Sequence, residues 1–430
     1  MGISMLNKLR IISLALTALF TLSACGDNTL EEDQVLVRSH KDLAHLYGIT
    51  AIHGDLSIRV DGVTSLTQLH ELTLIDGDLI ISHTDSLLDL TGLENLVNVT
   101  GRITIAMNDS LQSLKGLSQL QEAGELWIHG NPELMNLQGA NAVAQVQGDV
   151  VIWQNDSLAD LQGLDALEYV AGNFKVCANP ALLSLQAVTS IAEIGNSLIV
   201  VDNAALNDLG QLGQIENLRG ELNINDNPSL MNLDGLDGLK TVLGDIHLYN
   251  LASLTNTNGL KNLEAVNQSL IIWRNPQLSN IDGLAKLETI GGSLEISEND
   301  LLENLVGLKN LGAIAGSMSI TKNPSLEAFG GLTKLGHIGD ELHIELNNSL
   351  LNIHEIANLK NIGGAISIRY NAMLTSIQGL AGLETATGNL TIAGNGSLSE
   401  CSIENLLKEI GDKVLGSTTV ENNNSDILCE

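Results

Sequence analysis

The side chains able to do covalent or metal chemistry in this sequence are four cysteines, ten histidines and 51 carboxylates, set against 20 lysines and arginines. Their spacing excludes most of that chemistry. His129, His247 and His343 fall on the outward side of the strand pattern described below, and the nearest two are four repeats apart. At about 4.8 Å per stacked strand they stand about 19 Å from each other, too far to share an ion. Carboxylates recur just ahead of the strand, as Asp55, Asp78, Glu125, Asp149, Glu221 and Asp245. A calcium ladder would use a Gly-Gly-x-Gly-x-Asp repeat, which is missing, so these read as a solvated acidic edge. No Gly-rich phosphate loop, His-Glu-x-x-His helix or Cys-x-x-Cys pair occurs. The sequence thus points to no catalytic residue, no metal site and no cofactor. The net charge of −31 excludes the basic face that a nucleic-acid partner needs.

Recognition chemistry is what remains. The chain has only ten aromatic residues, yet all three tryptophans, Trp127, Trp153 and Trp273, take outward positions on the same strand pattern, joined by Tyr249. His129 and Val151 neighbour the first pair, and His247 and Ile271 neighbour the second. Exposed rings on a rigid sheet suit carbohydrate stacking or a protein hot spot. The same rings would also stabilise adjacent strands as a ladder.

The element that must position these rings is a repeat. Val150-Val151-Ile152, Phe174-Lys175-Val176, Leu198-Ile199-Val200 and Leu222-Asn223-Ile224 begin 24 residues apart. The series continues through Ile246, Leu270, Leu294, Met318, Leu342, Ile366 and Leu390, and backwards through Leu126, Ile103, Leu79 and Leu56. That makes fifteen units, and the eleven steps from Leu126 to Leu390 admit no insertion. With the first residue of each triplet as offset 0, apolar residues recur at offsets 0, 2, 8, 11, 14, 17 and 20. In the fifth unit these are Val150, Ile152, Leu158, Leu161, Leu164, Leu167 and Val170. Offsets 0 and 2 share one side of a strand. Recurrent glycines such as Gly163 and Gly172 break any long helix in the remainder. Each unit is one coil of a solenoid, unable to bury its apolar side alone but sharing a core when stacked.

Asparagine occupies offset 5 in twelve of the fifteen units: Asn108, Asn131, Asn155, Asn179, Asn203, Asn227, Asn275, Asn299, Asn323, Asn347, Asn371 and Asn395. Asp61, Thr84 and Leu251 are the exceptions. Stacked amides at a corner would bond buried backbone groups of neighbouring coils. A left-handed backbone at this position fails where Pro132, Pro180, Pro228, Pro276 or Pro324 follows, because a residue before proline is pushed into extended conformations. These five prolines, one in every second coil, read as the relic of a duplicated two-coil unit.

The pattern LxIxxN followed by xxLxxLxGLxxLxxIxG resembles the receptor L-domain group, a relative of leucine-rich repeats. The leucine three residues after Asn favours the L-domain variant. The resemblance covers residues 56–400 and implies a mainly β, right-handed parallel β-solenoid of about fifteen 24-residue coils with end caps. Such repeats serve many binding tasks. Some parallel β-helices cleave polysaccharides, but they build clefts from loops inserted between coils, and here none is inserted. The function expected is a non-catalytic protein that binds a protein or a glycan through the outward side of its strand ribbon. A structural or adhesive envelope protein without a discrete ligand is the alternative, with a polysaccharide-acting enzyme a distant third.

The ends carry an address and two caps. Lys8 and Arg10 precede an apolar run to Leu22, the layout of a secretory signal over residues 1–24. Leu22-Ser23-Ala24-Cys25 resembles the lipobox of bacterial lipoproteins, which implies cleavage before Cys25 and acylation of its thiol and amine. Gly26, rather than Asp, follows the cysteine, and by the same analogy the protein is exported and lipid-anchored in the outer membrane, facing the periplasm or the outside. Residues 25–34 read as an acidic tether, and 35–55 as an N-terminal cap with a helix near 41–47. Residues 401–430 read as a C-terminal cap, with an amphipathic helix near 403–410, a degenerate sixteenth coil at 418–423, and Cys401 paired with Cys429 in an oxidising compartment. Cys177, left alone, reads as an inert, half-exposed thiol.

Overall fold

The computed structural model describes residues 28–425. The signal segment, Cys25 and Cys429 therefore lie outside the described residues.

Alternation at offsets 0 to 3 produces a four-residue strand in each regular coil, such as Val150–Trp153, Phe174–Cys177 and Leu198–Val201. Each strand pairs in parallel with the next at the 24-residue register: Phe174 lies opposite Val150 on one side and Leu198 on the other. This ribbon runs unbroken from Thr29–Val37 to Thr418–Glu421. A second, narrow parallel ladder uses two residues per coil at offsets 19 and 20, and from Asn217–Leu218 to Thr385–Ala386 it forms a separate eight-stranded sheet. Single-turn 3-10 helices, such as Asp282–Leu284 and Gln378–Leu380, fill offsets 12 to 14 in the later coils.

The apolar offsets converge on one core. Val150, Ile152, Leu158, Leu161, Leu164, Leu167 and Val170 are all 0% exposed, and their equivalents merge into a single cluster running from Leu30 to Val414. The glycines at offset 13 have a sharper role than interrupting helices. Gly163 has φ +112°, and a Cβ there would run into the carbonyl of Leu137 in the coil below. Close stacking of the coils, as much as chain reversal, demands glycine at this point.

The corner after the strand is built by two adjacent residues with different roles. Offset 4 takes the left-handed backbone in coil after coil, at φ +54° in Gln154, Glu298 and Lys322 and +55° in Arg274, although none of these is glycine. Offset 5 then points inward. Asn155 donates from Nδ2 to the carbonyl of Ile128 at 3.0 Å, and its Oδ1 accepts the backbone N–H of Asn131 at 3.2 Å. The same pattern links the twelve asparagines, all 0% exposed. Thr84 joins it through its N–H and hydroxyl, and Asn423 extends it beyond Asn395. Leu251 interrupts the amide row, although its own N–H still reaches Asn275 Oδ1 at 3.0 Å.

The caps close both ends. Thr29–Val37 pairs with Ala51–Ile58 and is followed by helix α1, His40–Ala44, capped by Ser39 and anchored by the buried Leu43. The strand begins within the stretch read as tether, at Thr29 rather than Val35. Leu30 is buried and Thr29–Glu31 pairs with Ala51–His53, while a register shift between Glu31 and Gln34 leaves the acidic residues outside. One buried leucine among polar neighbours is a weak sequence signal, which explains the difference. At the other end α2, Glu400–Ile410, is capped by Ser399 and buries Ile403, Leu406 and Ile410 along one side. Thr418–Glu421 then pairs with Leu390–Ala393 as a sixteenth rung.

Candidate binding surface on the strand ribbon

Offsets 1 and 3 face away from the core, so each coil offers two side chains to the outer side of the ribbon. Helices α1 and α2 pack at the ends of the stack, α1 against the first strand and α2 against the 3-10 turn Gln378–Leu380. The parallel register places Trp127 opposite Val151 and His129 opposite Trp153. It likewise places His247 opposite Ile271 and Tyr249 opposite Trp273. The candidate residues therefore form two clusters, separated by the coils that carry Lys175, Ile199 and Asn223.

In the first cluster the His129 and Trp153 rings lie 5.9 Å apart, tilted by 36°. Trp153 is 42% exposed, whereas Trp127 is half-buried beneath Arg102, whose guanidinium sits 4.4 Å from the ring centroid. Arg102 is also paired with Glu125. The Trp127 indole N–H is buried without a hydrogen-bond partner. Burial holds the His129 imidazole below its usual pKa, which favours the neutral ring.

The second cluster is a continuous stack. His247 meets Tyr249 edge-on at 6.5 Å, Tyr249 meets Trp273 at 5.8 Å, and the Arg274 guanidinium covers Trp273 at 4.2 Å. Arg274 Nε donates to Glu298 at 2.8 Å, and Lys322 Nζ donates to the same carboxylate at 2.9 Å. These two hydrogen bonds hold the Glu298 carboxyl at about 2. An arginine clamped on both sides loses little further freedom on binding, so the aromatic platform it covers is held rigid. Trp273 itself is half-buried, which leaves Trp153 as the most open of the three tryptophans.

The arginine covers and the Glu298 network were not recognisable from strand alternation. Arg274, Glu298 and Lys322 occupy offset 4, where the left-handed turn swings the side chain out beside the ribbon. The variety of residues immediately before the ladder asparagine was the available signal. Cys177 is free and half-buried between the two clusters, and burial raises its thiol pKa, which opposes thiolate chemistry. Among the described residues, no three histidine, cysteine or carboxylate side chains come together in a group able to hold a metal ion.

Residues 48–141 match the family model described as Receptor L domain. The match spans the first coils, including Trp127 and His129, and the parallel-strand repeats of the whole stack are receptor L-domain-like. The similarity is to a non-catalytic family and suggests a ligand-binding protein. No curated protein matches the chain.

Proposed function

We propose that this protein is an envelope lipoprotein, anchored through acylated Cys25, that binds a protein or glycan through the two aromatic clusters of its ribbon. The observation that carries the reading is Trp153, 42% exposed beside His129 on an otherwise regular sheet surface, with the Tyr249–Trp273 stack on the same side five coils from it at most. Most outward positions elsewhere on the ribbon are small or polar, such as Ser57, Thr104, Ser319, Thr321 and Thr391. Concentrating the large rings in two places is what an anchoring surface needs. In this reading acylation at Cys25 gives stable membrane attachment, and a Cys401–Cys429 bridge fastens the last coil.

Glycan-array binding and whole-cell capture with the soluble domain test the proposal. A partner retained by the wild type and lost by the double variant Trp153→Ala/Trp273→Ala supports it. A partner held equally by both places recognition elsewhere on the solenoid.

A further inference from the structure

Beside the second aromatic cluster the solenoid corner opens into a groove of about 660 Å³. It runs along the stack from Asn250 to Asn348, four coil steps, or about 19 Å. One wall is the offset-4 row of Arg274, Glu298, Lys322 and Leu346, and the other includes Pro276 and Pro324 at offset 6. The inward-turned ladder asparagines lie between the two rows in sequence, so the groove follows the corner that the ladder stiffens.

The N–H groups on the strand side of the groove are already committed. The N–H groups of Arg274, Glu298 and Lys322 donate to the carbonyls of Ser297, Thr321 and Glu345 in the next coil. The N–H groups of Asn275, Asn299 and Asn323 donate to the next ladder amide. Pro276 and Pro324 have no N–H to offer. An extended peptide, which relies on a continuous row of main-chain hydrogen bonds to add itself to a sheet, finds no such row of free N–H groups on the strand side. Side chains are what the groove presents. Arg274 and Lys322 balance Glu298 and Asp300, so the local charge is neutral within a strongly acidic protein. Trp273 and Tyr249 adjoin this polar set through the guanidinium of Arg274.

We infer that the corner groove is a binding site for an unbranched neutral oligosaccharide, whose ring faces pack on Pro276, Pro324 and the outer face of the Arg274 guanidinium, which Trp273 supports from beneath, while its hydroxyls bond Glu298, Asp300, Lys322 and Asn348. The inference rests on the ribbon reading and assigns its second cluster to a ligand class. The volume falls within the range of small-ligand sites, and the groove's polar side chains are placed to fix a ligand's orientation. A polyanionic glycan is disfavoured by the overall charge.

The experiment is calorimetric titration of the purified full chain with cellohexaose, xylohexaose, mannohexaose, chitohexaose and, as the anionic probe, hexagalacturonate. One of the neutral hexasaccharides should bind, at least tenfold more weakly to Trp273→Ala and to Lys322→Ala, with every variant still cooperatively folded at the assay temperature and with binding unchanged in Met231→Ala, an exposed residue outside the groove lining. A neutral sugar whose binding is lost in Trp153→Ala but kept in Lys322→Ala overturns the groove and leaves the ribbon reading standing. Binding of hexagalacturonate alone, or of no sugar, overturns the ligand class. Capture of a protein partner that depends on Trp153 would then show that the ribbon still binds.

Discussion

Adjacent asparagines at one corner give the sharpest test of what holds the stack together. Asn347 is fully buried in the ladder, and Asn348 beside it is exposed. The Asn347 Oδ1 accepts the Asn323 N–H at 3.0 Å and the Asn323 Nδ2 at 3.3 Å, while its own Nδ2 donates to Ile320 O at 2.8 Å and Asn371 Oδ1 at 3.4 Å. Asn347→Ala therefore leaves the Asn323 N–H without its acceptor, a cost of about 1–3 kcal/mol for a buried donor. Loss of the bond to Ile320 adds about 0.5–1.5 kcal/mol, and the two longer amide contacts add less. The expected total is about 2–4 kcal/mol, toward the lower end if a water enters the vacated space. Asn348→Ala removes the same chemical group from solvent and should stay within about 0.5 kcal/mol. A solenoid opens locally, so the assay is native-state hydrogen exchange rather than a single melting point. The Asn323 amide should exchange at least tenfold faster in Asn347→Ala, with coils near Asn131 unaffected. Equal exchange at Asn323 in the two variants would refute the reasoning and reduce the ladder to a by-product of sequence repetition.

Three further outcomes are expected. Glu298, held at about 2 by its bonds to Arg274 and Lys322 against an ordinary 4.5, contributes stability that is complete above about 4.5 and lost as pH falls through about 2. A carboxyl-carbon NMR titration should give that low midpoint in the wild type and a higher one in Lys322→Ala, whereas an ordinary midpoint in both would contradict the network. Cys401→Ser should destabilise the last coils more than the first, by about 3–4 kcal/mol on the loop-closure account. Free thiols at Cys401 and Cys429 in the oxidised protein would remove that argument. Cys25→Ser should abolish lipid labelling and release the protein from membranes, and unchanged retention would defeat the lipobox reading.

The coil was legible because its two determinants repeat. Apolar offsets such as Leu158, Leu161 and Leu164 mark the core in every unit, and the ladder asparagines mark one corner. Stacking at a constant register then leaves little freedom in the architecture. Features that depend on backbone handedness or on contact between coils were harder to read. The left-handed residue sits at offset 4, one place before the asparagine, and is filled by Arg274, Glu298, Tyr370 and Leu346 alike, so no residue preference announces it. The need for Gly163 came from the Leu137 carbonyl in the neighbouring coil, which no linear window contains. For the candidate site, strand register correctly paired Trp127 with Val151 and Tyr249 with Trp273. Alternation alone cannot distinguish an open ring from one covered by a neighbour, and Arg102 and Arg274 cover two of the three tryptophans.

The central claim is that the outward rings serve recognition rather than packing, and paired melting and binding measurements on Trp153→Ala, Trp273→Ala and Leu206→Ala test it most directly. Leu206 is fully buried in the core, and its truncation should cost about 2–5 kcal/mol. The tryptophan variants should melt close to the wild type while losing about 1–3 kcal/mol of binding per anchor. Tryptophan variants that melt like Leu206→Ala, or that fold normally and keep every partner at wild-type affinity, would contradict the account.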